Sequence, residues 1–141
     1  MSDIKIRTAR WSTDNSDIRK IREAVFIIEQ GVPHELEWDD EDEHSVHFLA
    51  HEEGFAVGTA RLQKDGRIGR VSVLRDWRGL HIGELLMKAV IAEAERMGIF
   101  RQILTAQTYA IPFYERLGFQ VSSSEFLDAG IPHIEMVRNS H

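Results

Sequence analysis

Residues 67–87 read RIGRVSVLRDWRGLHIGELLM. An alternating run, Arg67 to Val73, passes through a turn containing Arg78-Gly79 and Gly83 and enters a helical pattern. Ile82, Leu85, Leu86, Ala89, Val90 and Ala92 recur at three- and four-residue spacing, with Glu84, Lys88, Glu93 and Arg96 on the other faces. A strand that feeds a helix through a glycine-containing turn leaves the first backbone N–H groups of the helix unpaired. Those donors, with the positive end of the helix dipole, favour an anion, most often a phosphate. Arg75, Arg78 and His81 add positive charge nearby.

Outward from this stretch the chain alternates strands and helices. Ile4, Ile6 and Thr8 alternate with Lys5 and Arg7, so residues 3–10 read as a strand. Ser12-Thr13-Asp14-Asn15 reads as a polar loop with Ser16 as a helix N-cap. Ile18, Ile21, Arg22, Val25, Phe26 and Ile28 predict a helix to about Gln30, ended by Gly31 and Pro33. Residues 34–44, HELEWDDEDEH, hold seven acids and no Lys or Arg, and read as a solvated loop. Val46, Phe48 and Ala50 predict a strand, Glu52-Glu53-Gly54 a hairpin turn, and Phe55–Leu62 the next strand. Lys64-Asp65-Gly66 is a second hairpin turn before Arg67–Val73. Gly98 ends the central helix and Ile103–Ala106 follows as a strand. Ile111–Leu117 reads as a short helix with Pro112 in its first turn, and Gly118 stops it. Phe119–Ser122 and Ile134–Arg138 are closing strands. The predicted class is mixed α/β: an antiparallel meander followed by one β-α-β crossover, not a doubly wound sheet.

Size and composition bound the function. At 141 residues the chain is expected to be one domain, 1–141. Apolar residues are 43% of it, enough for a core, and the net charge of −6 argues against a nucleic-acid binder while leaving room for a local basic pocket. With no cysteine, a disulfide, a thiolate metal site and a cysteinyl intermediate are excluded. No apolar run reaches membrane-span length and the polar start is not a signal peptide, so a cytoplasmic, reducing compartment is the expectation.

The turn lacks the Lys-Ser or Lys-Thr of a P-loop and has no G-x-G-x-x-G. Arg78-Gly79-Leu80-His81-Ile82-Gly83 instead resembles the R/Q-x-x-G-x-G/A pyrophosphate loop of the GCN5-related N-acetyltransferase (GNAT) family. Ala110-Ile111-Pro112-Phe113-Tyr114-Glu115-Arg116-Leu117-Gly118-Phe119 resembles the family's A-x-x-F-Y-E-x-x-G-F segment. The two motifs stand in order, and the predicted strand order is similar to the family fold over nearly the whole chain. Val25–Pro33 with Glu35, Glu37 and Asp39, and the late Gly130-Ile131-Pro132-His133-Ile134, resemble a subgroup of small bacterial acetyltransferases.

The resemblance implies acetyl-CoA as cofactor. Backbone groups of Val71, Ser72 and Val73 would pair with the pantetheine arm as an added strand, and N–H groups there would polarise the acetyl carbonyl. The N–H groups of Arg78, Gly79, Leu80, His81, Ile82 and Gly83 would hold the pyrophosphate. Tyr114 matches the tyrosine that protonates the departing thiolate, a phenol being near a thiol in pKa. Gln107 falls where many members place an asparagine on the pantetheine. His81 stands where the pattern usually has glycine, and either adopts the same backbone geometry or shifts it.

Other readings sit beside these. Glu29, Glu35 and His133 are candidate general bases, with Glu29 and His133 preferred for their place in the subgroup-like stretches and water as a substitute. Trp11, Trp38 and Trp77 read as packing residues, Trp38 also as an acceptor-pocket wall. The acid run lacks the 1-3-5 spacing and central glycine of a calcium loop, though it could attract a cationic amine. On a strand only His47 and His51 share a face, which makes a metal site a minor reading. The expected activity is transfer of acetyl from acetyl-CoA to a primary amine of a small molecule or peptide by direct attack in a ternary complex. A non-catalytic acyl-CoA sensor on the same fold is the alternative, and a cofactor-free interaction domain ranks last. Pairing of two copies into a homodimer through sheet edges is compatible with the pattern.

Overall fold

The computed structural model describes residues 3–140. In chain order it contains β1 (Ile4–Ala9), α1 (Trp11–Arg22), a π-helical turn (Glu23–Glu29), α2 (His34–Glu37), a 3-10 turn (Asp40–His44), β2 (Val46–Glu52), β3 (Phe55–Leu62) and β4 (Arg67–Val73). Then follow α3 (Ile82–Arg96), β5 (Arg101–Gln107), α4 (Ile111–Arg116), β6 (Gln120–Val121), β7 (Phe126–Asp128) and β8 (Ile131–Asn139). The described strands form a mixed sheet in the order β1-β2-β3-β4-β5-β8-β6, with β7 beside β8. Only β4 and β5 run parallel, as the predicted crossover requires.

α3 lies on one face of the sheet. Its apolar stripe buries Ile82, Leu86, Met87, Val90 and Ala94 against Phe48, Val57, Ala60, Ile68 and Leu104. Gly58 is what lets it approach: a Cβ there would stand 3.0 Å from Leu86 Cδ1 and 3.2 Å from the Ser72 carbonyl oxygen. α1 covers the other face through Ile18 and Ile21, which join Ala9 and Leu49 in a second apolar cluster. Among the described residues no helix is long and apolar enough to cross a membrane.

Several expectations need correction. α1 starts at Trp11 rather than after Ser16, because the Asp14 carboxylate accepts the Arg10 N–H at 2.9 Å and the Arg7 guanidinium at 2.9 Å. Its predicted continuation to Gln30 is not α-helical. Glu23–Glu29 widens into a π-turn, with Gln30 N–H donating to the Val25 carbonyl at 3.1 Å. The closing segment holds three strands rather than two, since residues 126–128 pair with residues 131–133 across a turn.

The acid run is the largest correction. It folds as α2 and the 3-10 turn, and Glu37 and Asp42 are buried, at 3% and 2% exposure. Arg22, fully buried on α1, donates to Glu37 Oε2 and to Asp42 Oδ1, each at 2.7 Å. Arg61 on β3 reaches Asp39 at 2.8 Å and Asp42 at 3.0 Å, and Arg70 on β4 reaches Glu37 at 3.2 Å and Asp39 at 3.3 Å. Three guanidiniums thus meet three carboxylates in one network. A charge is retained in a protein interior only when so paired. Burial raises the Glu37 carboxyl above its usual range despite Arg70 and Arg22, whereas Asp42, which burial alone would raise, is held low by Arg22 and Arg61. Trp11 and Trp38 flank the Arg22 guanidinium, with the Trp38 ring 4.9 Å away. Trp38 is therefore packing.

Candidate active site

The site begins as a defect in the sheet. β4 and β5 pair only at Arg67↔Ile103 and Ile68↔Leu104 and then separate. On the other side of β4 the ladder to β3 passes from Arg61↔Gly69 to Thr59↔Ser72, so Ala60 faces both Arg70 and Val71. Arg70, the extra residue, has φ +53°. Such a bulge bends the strand and frees the backbone groups at it. Val71 consequently has no ladder partner on either side, at the point where the two parallel strands open into a cleft.

Two cavities meet at this opening. One, ≈ 720 Å³, runs along Val71–Val73 to the start of α3 and is lined by Trp77, Arg78, Gly79, His81 and Gly83. The other, ≈ 350 Å³, lies between β4, β5 and β8 under Phe26 and Val32. Val71, Gln30, Tyr109, Ala110 and Tyr114 belong to both.

The loop leading into α3 keeps the geometry its motif needs. Gly79 has φ +81°, and His81, the N-cap of α3, has φ +63°, ψ +20°. The histidine therefore accepts the left-handed conformation that glycine would supply, at a cost of about 1 kcal/mol or more. Leu85 N–H is the first to bond back, to the His81 carbonyl at 3.1 Å. The Ile82, Gly83 and Glu84 N–H groups at the helix start thus stand outside the intrahelical ladder. The His81 ring is exposed and lies 3.5 Å from Glu84. Arg75 does not line this cavity.

Arg78 behaves differently from the other loop residues. Its side chain folds back, with Nη1 and Nη2 on the Glu29 carboxylate at 2.5 and 2.7 Å and Nε donating to the Val73 carbonyl at 3.0 Å. Hydrogen bonding to Arg78 holds the Glu29 carboxyl below its usual range. A carboxylate so engaged is a poor proton acceptor. The π-turn is what delivers Glu29 and Gln30 to the cleft. Gln107, at the end of β5, donates to Gln30 Oε1 at 3.1 Å.

Tyr114 sits on α4 between Phe113 and Phe119, with ring centroids 5.0 and 6.0 Å away. Desolvation pushes its phenol up to about 12. A phenol so shifted lies above the usual thiol range. The phenol stays protonated across the physiological range.

His133 pairs across the ladder with Gln107 and lines the smaller cavity. Its Nδ1 lies 2.7 Å from the Ile131 carbonyl oxygen. A carbonyl only accepts, so Nδ1 carries the proton and Nε2 is left with its lone pair. Phe126 stacks on the ring at 6.3 Å. Glu35 is exposed on α2 and lines neither cavity. His47 is buried on β2 with Nε2 2.7 Å from the Asp42 carbonyl, and His51 accepts from Arg7 Nε at 3.2 Å. Among the described residues no cluster of metal-ligating side chains exists. Arg67, Arg70 and Gln30 escaped the sequence reading of the cleft. The signal was present in Arg67 and Arg70, two cations on a strand otherwise apolar or small.

Comparison with known proteins agrees with this architecture. The family model for an acetyltransferase (GNAT) domain matches residues 14–140. A Bacillus subtilis (strain 168) protein named as the uncharacterized N-acetyltransferase YjcF is 42% identical over 123 residues, covering 84% of this chain and 88% of that protein. Among solved structures, an acyl-CoA N-acyltransferase from Pseudomonas aeruginosa superposes with TM-score 0.88 at 28% identity, covering 96% of this chain and 99% of the other. Escherichia coli ElaA superposes with TM-score 0.87 at 27% identity, with coverage of 96% and 99%.

Proposed function

Because the chain belongs to the GNAT acetyltransferase family, we propose that it transfers an acetyl group from acetyl-CoA to a primary amine by direct attack in a ternary complex. The observation that carries this reading is the meeting of the two cavities at Val71 and Tyr114. One cavity suits a long phosphorylated cofactor, and the other opens a separate path to the same point.

The chain's residues then have distinct tasks. The free N–H groups at the start of α3, with Gly79 and His81, hold the pyrophosphate. Val71 and Val73 offer unpaired strand backbone to the pantetheine arm. The Val71 N–H donates to the acetyl oxygen as negative charge develops there. His133 Nε2 takes the proton of the attacking amine. The amine nitrogen bonds to the acetyl carbon, the carbon–sulfur bond breaks, and the sulfur leaves as thiolate. Tyr114 donates a hydrogen bond to that sulfur. With its phenol near 12 it steadies the thiolate without surrendering its proton outright. Glu29 holds Arg78 rather than acting as the base.

Calorimetry with acetyl-CoA, followed by release of free thiol in the presence of an amine panel, tests the proposal. Amine-dependent thiol release is expected. Binding of acetyl-CoA with no thiol from any amine would instead make this a sensor domain, and no binding at millimolar concentration would remove the cofactor site.

A further inference from the structure

The smaller cavity has a charge axis along β4 and β5. Arg67 pairs with Ile103, and Gln107, four residues farther along β5, pairs with His133. At about 3.3 Å per residue, Arg67 lies about 13 Å from the level of His133. Arg61, opposite Gly69 on β4, and Arg70, three residues past Arg67, line the cavity between Arg67 and the level of His133, and Asp128 lines it near His133, two residues along β7 from Phe126, the cross-strand partner of His133.

The guanidiniums that line the cavity are not equally satisfied. Arg61 is 4% exposed in its side chain, and its Nε has no hydrogen-bond partner among the described residues. Arg70 Nε lies 3.2 Å from Glu37 Oε2 without hydrogen-bond alignment and counts as a second orphan donor. Buried donors in a native protein normally find a partner. The surrounding carboxylates Glu37, Asp39 and Asp42 are matched by Arg22, Arg61 and Arg70, so the network has no anion left for Arg67. Arg67 itself makes no side-chain hydrogen bond or ion pair among the described residues. The cavity therefore has one unpaired cation at one end, an acid and an imidazole at the other, and two guanidiniums with an orphan donor each between them.

We infer that the acceptor is a primary amine that also carries an anionic group, a carboxylate or phosphate. Arg67 holds the anion, with Arg61 and Arg70 along the way to the amine, which lies toward Asp128 and His133. The inference rests on the acetyl-transfer reading for its chemistry but not for its binding site. It reverses the expectation that the acid run draws in a cationic acceptor, because those acids are buried and neutralised. Arg67 is a specificity-determining residue in this account. The anion lies up to about 13 Å from the amine, so a range of chain lengths fits and charge is the discriminating feature.

Four probes test it: γ-aminobutyrate, phosphoethanolamine, ethanolamine and putrescine. They are assayed by thiol release and by calorimetric titration into protein saturated with acetyl-CoA. The two anionic amines are expected to surpass the neutral and dicationic ones in kcat/KM by about tenfold, the size of one charged hydrogen bond. Arg67→Gln is expected to lower that preference about tenfold, mainly through KM, and Arg67→Lys to restore part of it. Preference for ethanolamine or putrescine, equal or absent binding of all four, or a preference indifferent to Arg67→Gln overturns the inference. Thiol release driven best by putrescine would retire the inference and leave acetyl transfer intact. Arg67-dependent binding of the anionic probes with no thiol release from any would retire acetyl transfer and leave the inference standing.

Discussion

The molecule contains two sets of guanidinium–carboxylate contacts that are alike in chemistry and opposite in setting. Arg22 with Glu37 and Asp42 is sealed between α1 and the acid segment, with side chains 1–3% exposed. Arg78 with Glu29 bridges the mouth of the cleft, with side chains 41% and 35% exposed. Bond lengths do not separate them, since both lie at 2.5–2.7 Å. Water does. A buried pair cannot exchange a partner for solvent, so it fixes the placement of a segment. An exposed pair can, so it is free to trade its partner for a ligand.

The sharpest way to break this comparison is at Arg22. Arg22→Met removes the cation shared by two buried carboxylates, leaving Glu37 only Arg70 and Asp42 only Arg61, and is expected to cost about 3–5 kcal/mol in urea unfolding. A loss below about 1 kcal/mol would place the two pairs in one class. Next in size are substitutions in the cleft. Tyr114→Phe and His133→Gln should each lower kcat by roughly 10²-fold, near the lower end for groups acting on a proton or a developing charge. Their urea midpoints should stay close to that of the parent. A parent-like turnover in either variant removes that residue from the chemistry.

The buried network also has a pH signature. His47, 1% exposed, is pushed below its ordinary pKa by desolvation, against the pull of the Asp42 carbonyl and carboxylate. The unfolded chain therefore binds the His47 proton more readily than the folded one. Stability from this residue is complete above the usual histidine pKa of about 6.5 and is lost as pH falls below it, by at most about 1.4 kcal/mol per pH unit. Urea midpoints between pH 7 and 5 read this directly, and a flat profile would contradict it. The smallest effect on stability is expected at the cleft mouth. Glu29→Gln should change it by less than about 1 kcal/mol. It should strengthen acetyl-CoA binding a few-fold by freeing the Arg78 guanidinium from the carboxylate, as calorimetry would show.

What the sequence disclosed follows the range of each interaction. The meander, the crossover and α3 were legible because alternation and three-to-four spacing are local patterns. The loop into α3 and the Tyr114 segment stood out as contiguous stretches that resemble family motifs. The acid run was misread because its partners are remote. Asp42 meets Arg22 across 20 residues and Arg61 across 19, and Asp39 meets Arg70 across 31. Seven acids without a local cation look solvated until the fold delivers the cations. One hint was available, since Arg22 interrupts the apolar side of its own helix. The Glu29–Arg78 contact escaped for the same reason, Arg78 lying 49 residues away. The Trp11 helix start was missed because Asp14 was read as a loop former rather than as the acceptor of the Arg10 N–H.

The bulge at Arg70 has a consequence for how this cleft can vary among relatives. Its existence depends on a residue count, one more on β4 than on β3 between Gly69 and Ser72, and not on the identity of any side chain. Substitution there can retune what the cleft accepts while the opening persists. Deletion of a single residue would bring the ladder back into step and turn Val71 into an ordinary paired position. The cleft is thus set by spacing, and its chemistry can change on top of that arithmetic.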